Sequence, residues 1–265
     1  GPAWYQREIE IPAAWKGKRI FLYFERTHWL SSVYVGKEEV SKIDYISIPH
    51  NHELTQWLHP GKKELITFCI DNRYQYDTHK WDHAHSEFTQ INWNGVLGEI
   101  KLVAVDPVYV DDMQVYPDIK NKSIKVKMTV RNCTEHTASG KISFHVTGKD
   151  YRLQKEVPVT VTDSITYIEE EMFLGKDIHL WNEFHPNLYT LDCKLTSSVE
   201  GQSYAHEKST TFGMREVEAG EDHIILNGEP IHLRGTVENA VFPKTGYAPV
   251  DDASWERVLR ILKEY

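Results

Sequence analysis

The feature that most constrains this chain is a run of short apolar–polar alternations broken repeatedly by Gly, Pro, Asn and Asp, with no helical period before residue 251. Successive side chains of an extended strand point to opposite faces, so a period of two marks strands with one face buried. Arg7-Glu8-Ile9-Glu10-Ile11 alternates and Pro12 closes it, and Lys18-Arg19-Ile20-Phe21-Leu22-Tyr23-Phe24 follows as a second strand. Ser32-Val33-Tyr34-Val35 runs into a tight turn at Gly36-Lys37, and Glu64-Leu65-Ile66-Thr67-Phe68-Cys69-Ile70-Asp71 is the clearest strand of the first part. Many short strands with frequent turns predict a sandwich or barrel.

At 265 residues the chain exceeds what one core usually organises, so two compact domains or two and a remainder are expected. Asp106-Pro107 punctuates the strand 98–105 and marks a boundary. Beyond it, 123–130, 140–146 and 157–161 belong to a second series of strands, whose number over about a hundred residues suggests an immunoglobulin-like sandwich. The last part changes character. Ile224-Ile225-Leu226 leads into the hairpin turn Asn227-Gly228, and 230–235 reads as an apolar strand. A helix follows, capped by Asp251 or Asp252, with Trp255, Val258, Leu259 and Leu262 on one face. That face needs a partner which neither sandwich offers, and the chain reads as cut off there.

The net charge is −9 with Lys and Arg scattered, which argues against nucleic acid as a partner. The sequence contains no apolar run long enough to cross a membrane. Cys69, Cys133 and Cys193 are far apart and are expected as buried thiols, neither disulfides nor zinc ligands. The strand pattern breaks between residues 71 and 98, where His79, His83, His85, Asp77, Asp82, Trp81, Asn92, Trp93 and Asn94 gather. Long loops on β scaffolds concentrate function. Three readings fit: a metal site, structural hydrogen bonding, and a sugar-contacting rim in which the tryptophans stack on a ring and the amides bond its hydroxyls. The adjoining tryptophans and amides favour the rim, so Trp81, His83, His85, Asn92, Trp93 and Asn94 are the candidate contacts, although Trp93 fits a plug in the sandwich core equally well; no metal and no cofactor are expected. Glu25-Arg26 beside His28-Trp29 reads as a salt-bridged strand end.

These segments together resemble the N-terminal portion of family 2 glycoside hydrolases, which include β-galactosidases, β-glucuronidases and β-mannosidases. Trp4-Tyr5-Gln6-Arg7 with Trp15-Lys16-Gly17-Lys18-Arg19-Ile20 is similar to the opening of the family's sugar-binding domain, Val33-Tyr34-Val35-Gly36-Lys37 to its hairpin, and 95–102 to its closing segment. Trp181-Asn182-Glu183-Phe184-His185-Pro186-Asn187-Leu188-Tyr189-Thr190-Leu191 resembles the middle-sandwich signature, with Glu183 in place of a proline. Phe212-Gly213-Met214-Arg215, then 225–235, is similar to the junction with the catalytic barrel. Thr236-Val237-Glu238-Asn239-Ala240 stands where galactosidase-like members carry an Asn-Arg-His-type run, a departure that bears on the sugar.

The resemblance implies an all-β chain: a jelly-roll, galactose-binding-like sandwich (1–106), an immunoglobulin-like sandwich (107–211) and a short β/α segment beginning a (β/α)8 barrel (212–265). It implies a retaining exo-β-glycosidase acting on a β-linked carbohydrate, galactoside first and glucuronide or galacturonide second. Its two catalytic Glu residues would lie on late barrel strands beyond this chain, so no catalytic residue is expected here. Because ends of barrel strands face the active site, Glu238 and Asn239 join the candidate substrate contacts, as does Arg234, whose guanidinium either holds a substrate carboxylate or pairs with a neighbouring catalytic Glu, the role that the family pattern favours. The alternative is a free-standing carbohydrate-binding module. A periplasmic or secreted location is preferred to a cytoplasmic one, and the exposed helix face leads to an expectation of self-association.

Overall fold

The computed structural model describes residues 1–46, 48–73, 93–233, 235–237, 242, 245–246, 249 and 251–264. Its strands form two compact units, residues 1–104 with 235–265, and residues 105–234.

The first unit holds β1 (Pro2–Glu10), β2 (Arg19–His28), β3 (Leu30–Val35), β4 (Glu38–Asp44), β5 (His50–Glu53), β6 (Lys63–Asp71) and β7 (Gly95–Val105). They make a four-stranded sheet in the order β1-β6-β3-β4 and a three-stranded sheet in the order β5-β2-β7. Alternation decides which side chains meet between the sheets. Ile20, Leu22 and Phe24 of β2 are buried with Val33 of β3 and Ile66 and Ile70 of β6, while Val96 and Leu102 of β7 lie against them. The expected strands are present, and β2 runs four residues further than its apolar stretch. β5 gives no apolar signal, because its sequence is His50-Asn51-His52-Glu53. Pairing with β2 aligns His52 with Leu22 and His50 with Phe24, which carries both imidazoles into the interior.

The second unit holds β8 (Val108–Asp118), β9 (Ser123–Asn132), β10 (Ala138–Gly148), β11 (Tyr151–Val161), β12 (Ile165–Phe173), β13 (Tyr189–Val199) and β14 (Gln202–Phe212). Their sheets, β11-β10-β13-β14 and β12-β9-β8, are antiparallel and give the seven-stranded arrangement expected of an immunoglobulin-like sandwich. Ile124, Val126, Met128 and Val130 of β9 point inward between exposed Lys125 and Lys127, facing Leu191, Cys193 and Leu195 of β13 across the core. Each such burial contributes about 1.5–3 kcal/mol.

Beyond β14, a small antiparallel sheet joins β15 (Val217–Ala219), β16 (Ile224–Leu226) and β17 (Glu229–Ile231). Asn227 and Gly228 turn between the last two strands with φ of 53° and 87°, the left-handed pair that an Asn-Gly hairpin turn requires. The strand expected over 230–235 ends at Ile231, because its only ladder partner, β16, is three residues long. No barrel strand pair is seen among the described residues. The helix α1 (Asp252–Glu264) forms as expected, capped by Asp251, whose carboxylate accepts from the Ser254 backbone N–H at 2.8 Å. Its apolar face is partly covered: Trp255 and Val258 are half-buried, with the Trp255 ring 5.8 Å from that of Phe242, whereas Leu259 is 55% and Leu262 45% exposed. Another expectation fails at Cys133, which is exposed while Cys69 and Cys193 are buried, because it follows the last residue of β9 and leaves the sheet.

Candidate functional site

The candidate loop contacts fall into two groups. Trp81, His83, His85 and Asn92 lie outside the described residues, as do Arg234, Glu238 and Asn239 of the second candidate set. Trp93 and Asn94 are described, and the end of the first sandwich shows how they are held.

Trp93 sits half-buried just before β7, and its backbone carbonyl accepts two hydrogen bonds, from His28 Nδ1 at 2.7 Å and from Asn72 Nδ2 at 3.0 Å. A carbonyl can only accept, so His28 carries its proton on Nδ1. The Trp93 and His28 rings lie 4.9 Å apart and tilted by 36°. His28 is itself buried at the end of β2 beside buried Trp29. Asn94 is exposed, and its amide donates to the carbonyl of Gly1. The site therefore rests on three strand ends, β2, β6 and β7, with the indole anchored through its own backbone.

Asp71, the last residue of β6, holds the next corner. Its carboxylate accepts from Arg73 Nε at 3.0 and 2.9 Å, from an Arg73 terminal nitrogen at 2.6 Å and from the Arg73 backbone N–H at 3.0 Å. The hydrogen-bonded guanidinium holds the Asp71 carboxyl below the usual carboxylate range. Glu25 is salt-bridged to Arg26 at 3.1 Å, as its sequence context predicts, and also accepts from the Glu99 backbone N–H at 2.8 Å. Gly98 makes this approach possible: a Cβ there would lie 2.0 Å from the Glu25 carboxylate oxygen, and its φ is +81°.

No group of three or more His, Cys, Asp or Glu side chains with metal-binding geometry occurs among the described residues. What remains is an aromatic ring with amides beside it, chemistry suited to the apolar face and the hydroxyls of a sugar. Sequence reasoning singled out Trp93 and Asn94 as candidates and gave no sign of the contacts that hold them. His28 and Asp71 gave only local signals, a strand-end pair and a strand terminus, whereas their roles arise from contacts with residues distant in sequence.

The residues of the 181–191, 212–215 and 225–228 segments converge within the second unit. The Arg215 guanidinium lies 4.6 Å from the centre of the Trp181 ring, and the Trp181 backbone N–H donates to Met214 O at 2.9 Å. Asn227 Nδ2 donates to Trp181 O at 2.9 Å, while Asn227 Oδ1 accepts from Glu216 N at 3.0 Å. The segments 181–191, 212–215 and 225–228, picked out separately in the sequence, are thus one hydrogen-bonded knot. A groove of about 860 Å³ beside it is lined by Leu180, Phe184, Asn227, Pro230 and His232.

Residues 108–215 match the family model "Glycosyl hydrolases family 2". Over 252 residues the chain is 24% identical to a β-galactosidase of Thermoanaerobacter pseudethanolicus, covering 94% of this chain and 33% of that protein. Over 265 residues it is 22% identical to the β-glucuronidase of Sus scrofa, covering 89% of this chain and 38% of that protein. Among solved structures, Bacteroides uniformis β-glucuronidase 2, covalently bound to cyclophellitol-6-carboxylate aziridine, superimposes with a TM-score of 0.79 at 18% identity, over 100% of this chain and 32% of that one. The chain spans about a third of these relatives' length, 32–38%. Residues 108–215 thus match the family 2 glycosyl hydrolase model, and the chain as a whole is similar to the N-terminal portion of such proteins.

Proposed function

We propose that this chain, similar along its length to the N-terminal part of family 2 glycosyl hydrolases, is the sugar-contacting and bracing portion of a retaining exo-β-glycosidase. The observation that carries the reading is the knot of Trp181, Arg215 and Asn227, which assembles the motifs expected at a barrel junction on the domain that matches the family. The proposed division is a sugar-binding sandwich over 1–106, a spacer over 107–211 and the beginning of the barrel over 212–265.

Retaining hydrolysis needs two carboxyl groups about 5–5.5 Å apart, one as nucleophile and one alternating between acid and base. Asp71 and Glu25 are each ion-paired with an arginine, and the similarity to family 2 enzymes is what supports placing the catalytic pair on barrel strands beyond residue 265. The first sandwich would contribute the rim, with Trp93 stacking on the sugar and Asn94 bonding its hydroxyls, together with Trp81, His83, His85 and Asn92. Arg234, Glu238 and Asn239 would face the substrate from the barrel side. A β-galactoside is the first reading for the sugar, and a β-glucuronide is the second, favoured by the similarity to glucuronidases.

Hydrolysis of a panel of nitrophenyl β-glycosides by this chain and by its full gene product tests the reading. Cleavage of one glycoside by the full product alone is the expected result. Retention of sugar by the short chain with no cleavage by either would replace the enzyme with a free-standing carbohydrate-binding module.

A further inference from the structure

Inside the first sandwich, two buried histidines and two serines form a directional chain. His50 Nε2 lies 2.9 Å from the backbone carbonyl of Tyr45, which can only accept, so Nε2 carries the proton. Nδ1 is then an acceptor and takes the Ser31 hydroxyl hydrogen at 2.6 Å. Ser31 Oγ in turn accepts from His52 Nε2 at 2.8 Å, which leaves His52 Nδ1 to accept from the Ser41 hydroxyl at 2.8 Å. Every ring nitrogen is used with both imidazoles neutral. His50, His52 and Ser31 have no exposed surface, and the edge of the Phe24 ring closes over His52 at 5.4 Å.

The chain also ties the two sheets together. His50 and His52 belong to β5, a four-residue strand at the edge of one sheet, whereas Ser31 and Ser41 belong to β3 and β4 of the other. Thr27 Oγ1 of β2, 3.0 Å from the His50 ring nitrogens, precedes His28, the residue that holds the Trp93 carbonyl.

We propose that this Ser41–His52–Ser31–His50 chain is an acid-opened latch, which holds the edge strand β5 in place while both imidazoles are neutral and releases it when they take up protons. A proton on His50 must enter at Nδ1, facing a serine that already accepts from His52. The alternative acceptor for that serine, the Ile43 carbonyl, is 3.5 Å away. Among the described residues the charged group acting on His50 from the packed elements is Asp44 of β4. β2 and β3 present Thr27, Phe24 and Ser31; the Tyr45 carbonyl and Asp44 favour a proton on His50, and His50 opposes the charging of His52. Burial lowers the proton affinity of His50 and, to about 3, that of His52. An opened strand binds protons near pH 6.5, so the opened state gains as pH falls through that value, not as it rises.

Hydrogen exchange of the whole chain at pH 7 and pH 5, corrected for intrinsic chemistry, tests this. Protection of residues 45–53 is expected to fall about tenfold to a hundredfold while 124–130 is unchanged, since one bound proton shifts an equilibrium by at most about tenfold per pH unit. His52→Gln should abolish most of the difference. If that variant does not fold, imidazole nitrogen resonances of the unmodified protein decide, with both rings expected to be neutral and protonated on Nε2 at pH 7. Equal protection at the two pH values, a wild-type response in the folded variant, or either ring titrating near 6.5 in the closed protein would overturn the proposal.

Discussion

Asn227 is the single side chain on which the junction knot turns, and replacing it separates two contributions. In Asn227→Ala the bonds to Trp181 O and from Glu216 N are lost, at a net cost of about 0.5–1.5 kcal/mol each. The backbone remains at φ 53°, which costs an L residue with a Cβ about 1–2 kcal/mol and is eased in Asn by its short polar side chain. The expected destabilisation is about 2–4 kcal/mol for alanine, and about 1 kcal/mol less for Asn227→Gly, which adopts that φ freely. Because the β15–β17 sheet is small, it opens locally before the sandwich unfolds, so global melting understates the effect. Hydrogen exchange of residues 217–231 is the suitable assay, and alanine should raise opening roughly thirtyfold to several hundredfold. An effect below about 0.5 kcal/mol, or a glycine variant less stable than the alanine one, would refute the reasoning.

Other residues give equally direct outcomes. Phe144→Ala removes a fully buried ring from the second core and should cost about 3–5 kcal/mol, moving the unfolding transition of the second unit and leaving that of the first in place. Thiol labelling of the folded protein should modify Cys133 quickly and spare Cys193, whose thiol burial pushes up to about 12; rapid labelling of Cys193 would contradict its placement. Asp71 has a depressed folded-state value, so its contribution is present above about pH 4 and lost as pH falls below that. Asp71→Asn should therefore flatten acid unfolding in that range by at most about 1 kcal/mol, given that Arg73 is solvent-exposed.

Most of the architecture was legible because strand burial imposes a period of two. β9 and the 142–146 part of β10 alternate, and their residues announce both the strands and the inward face. β5 was not legible, since His-Asn-His-Glu has no apolar member and is buried only because serines from other strands complete its hydrogen bonds. The helix was read correctly from its spacing, but a period of 3.6 says only that a face is apolar, not that this chain supplies its cover. At the candidate site, residue type pointed to Trp93 and Asn94. Their support by His28, Asn72 and the strand ends depends on pairings across more than twenty residues, which no local pattern encodes. Arg215 and Trp181 show the opposite case, where two short motifs were recognisable apart and the fold brought them together.

The central claim is that the reacting carboxylates of a retaining glycosidase lie outside these 265 residues. A cyclophellitol-type aziridine forms a covalent bond with the nucleophile of such an enzyme, so treating this chain and its full gene product with the galacto- and glucurono-configured reagents, followed by peptide mass spectrometry, locates that carboxylate. The account predicts one adduct on a glutamate of the full product beyond residue 265 and none on the short chain. A stoichiometric adduct on any carboxylate within residues 1–265 would contradict it.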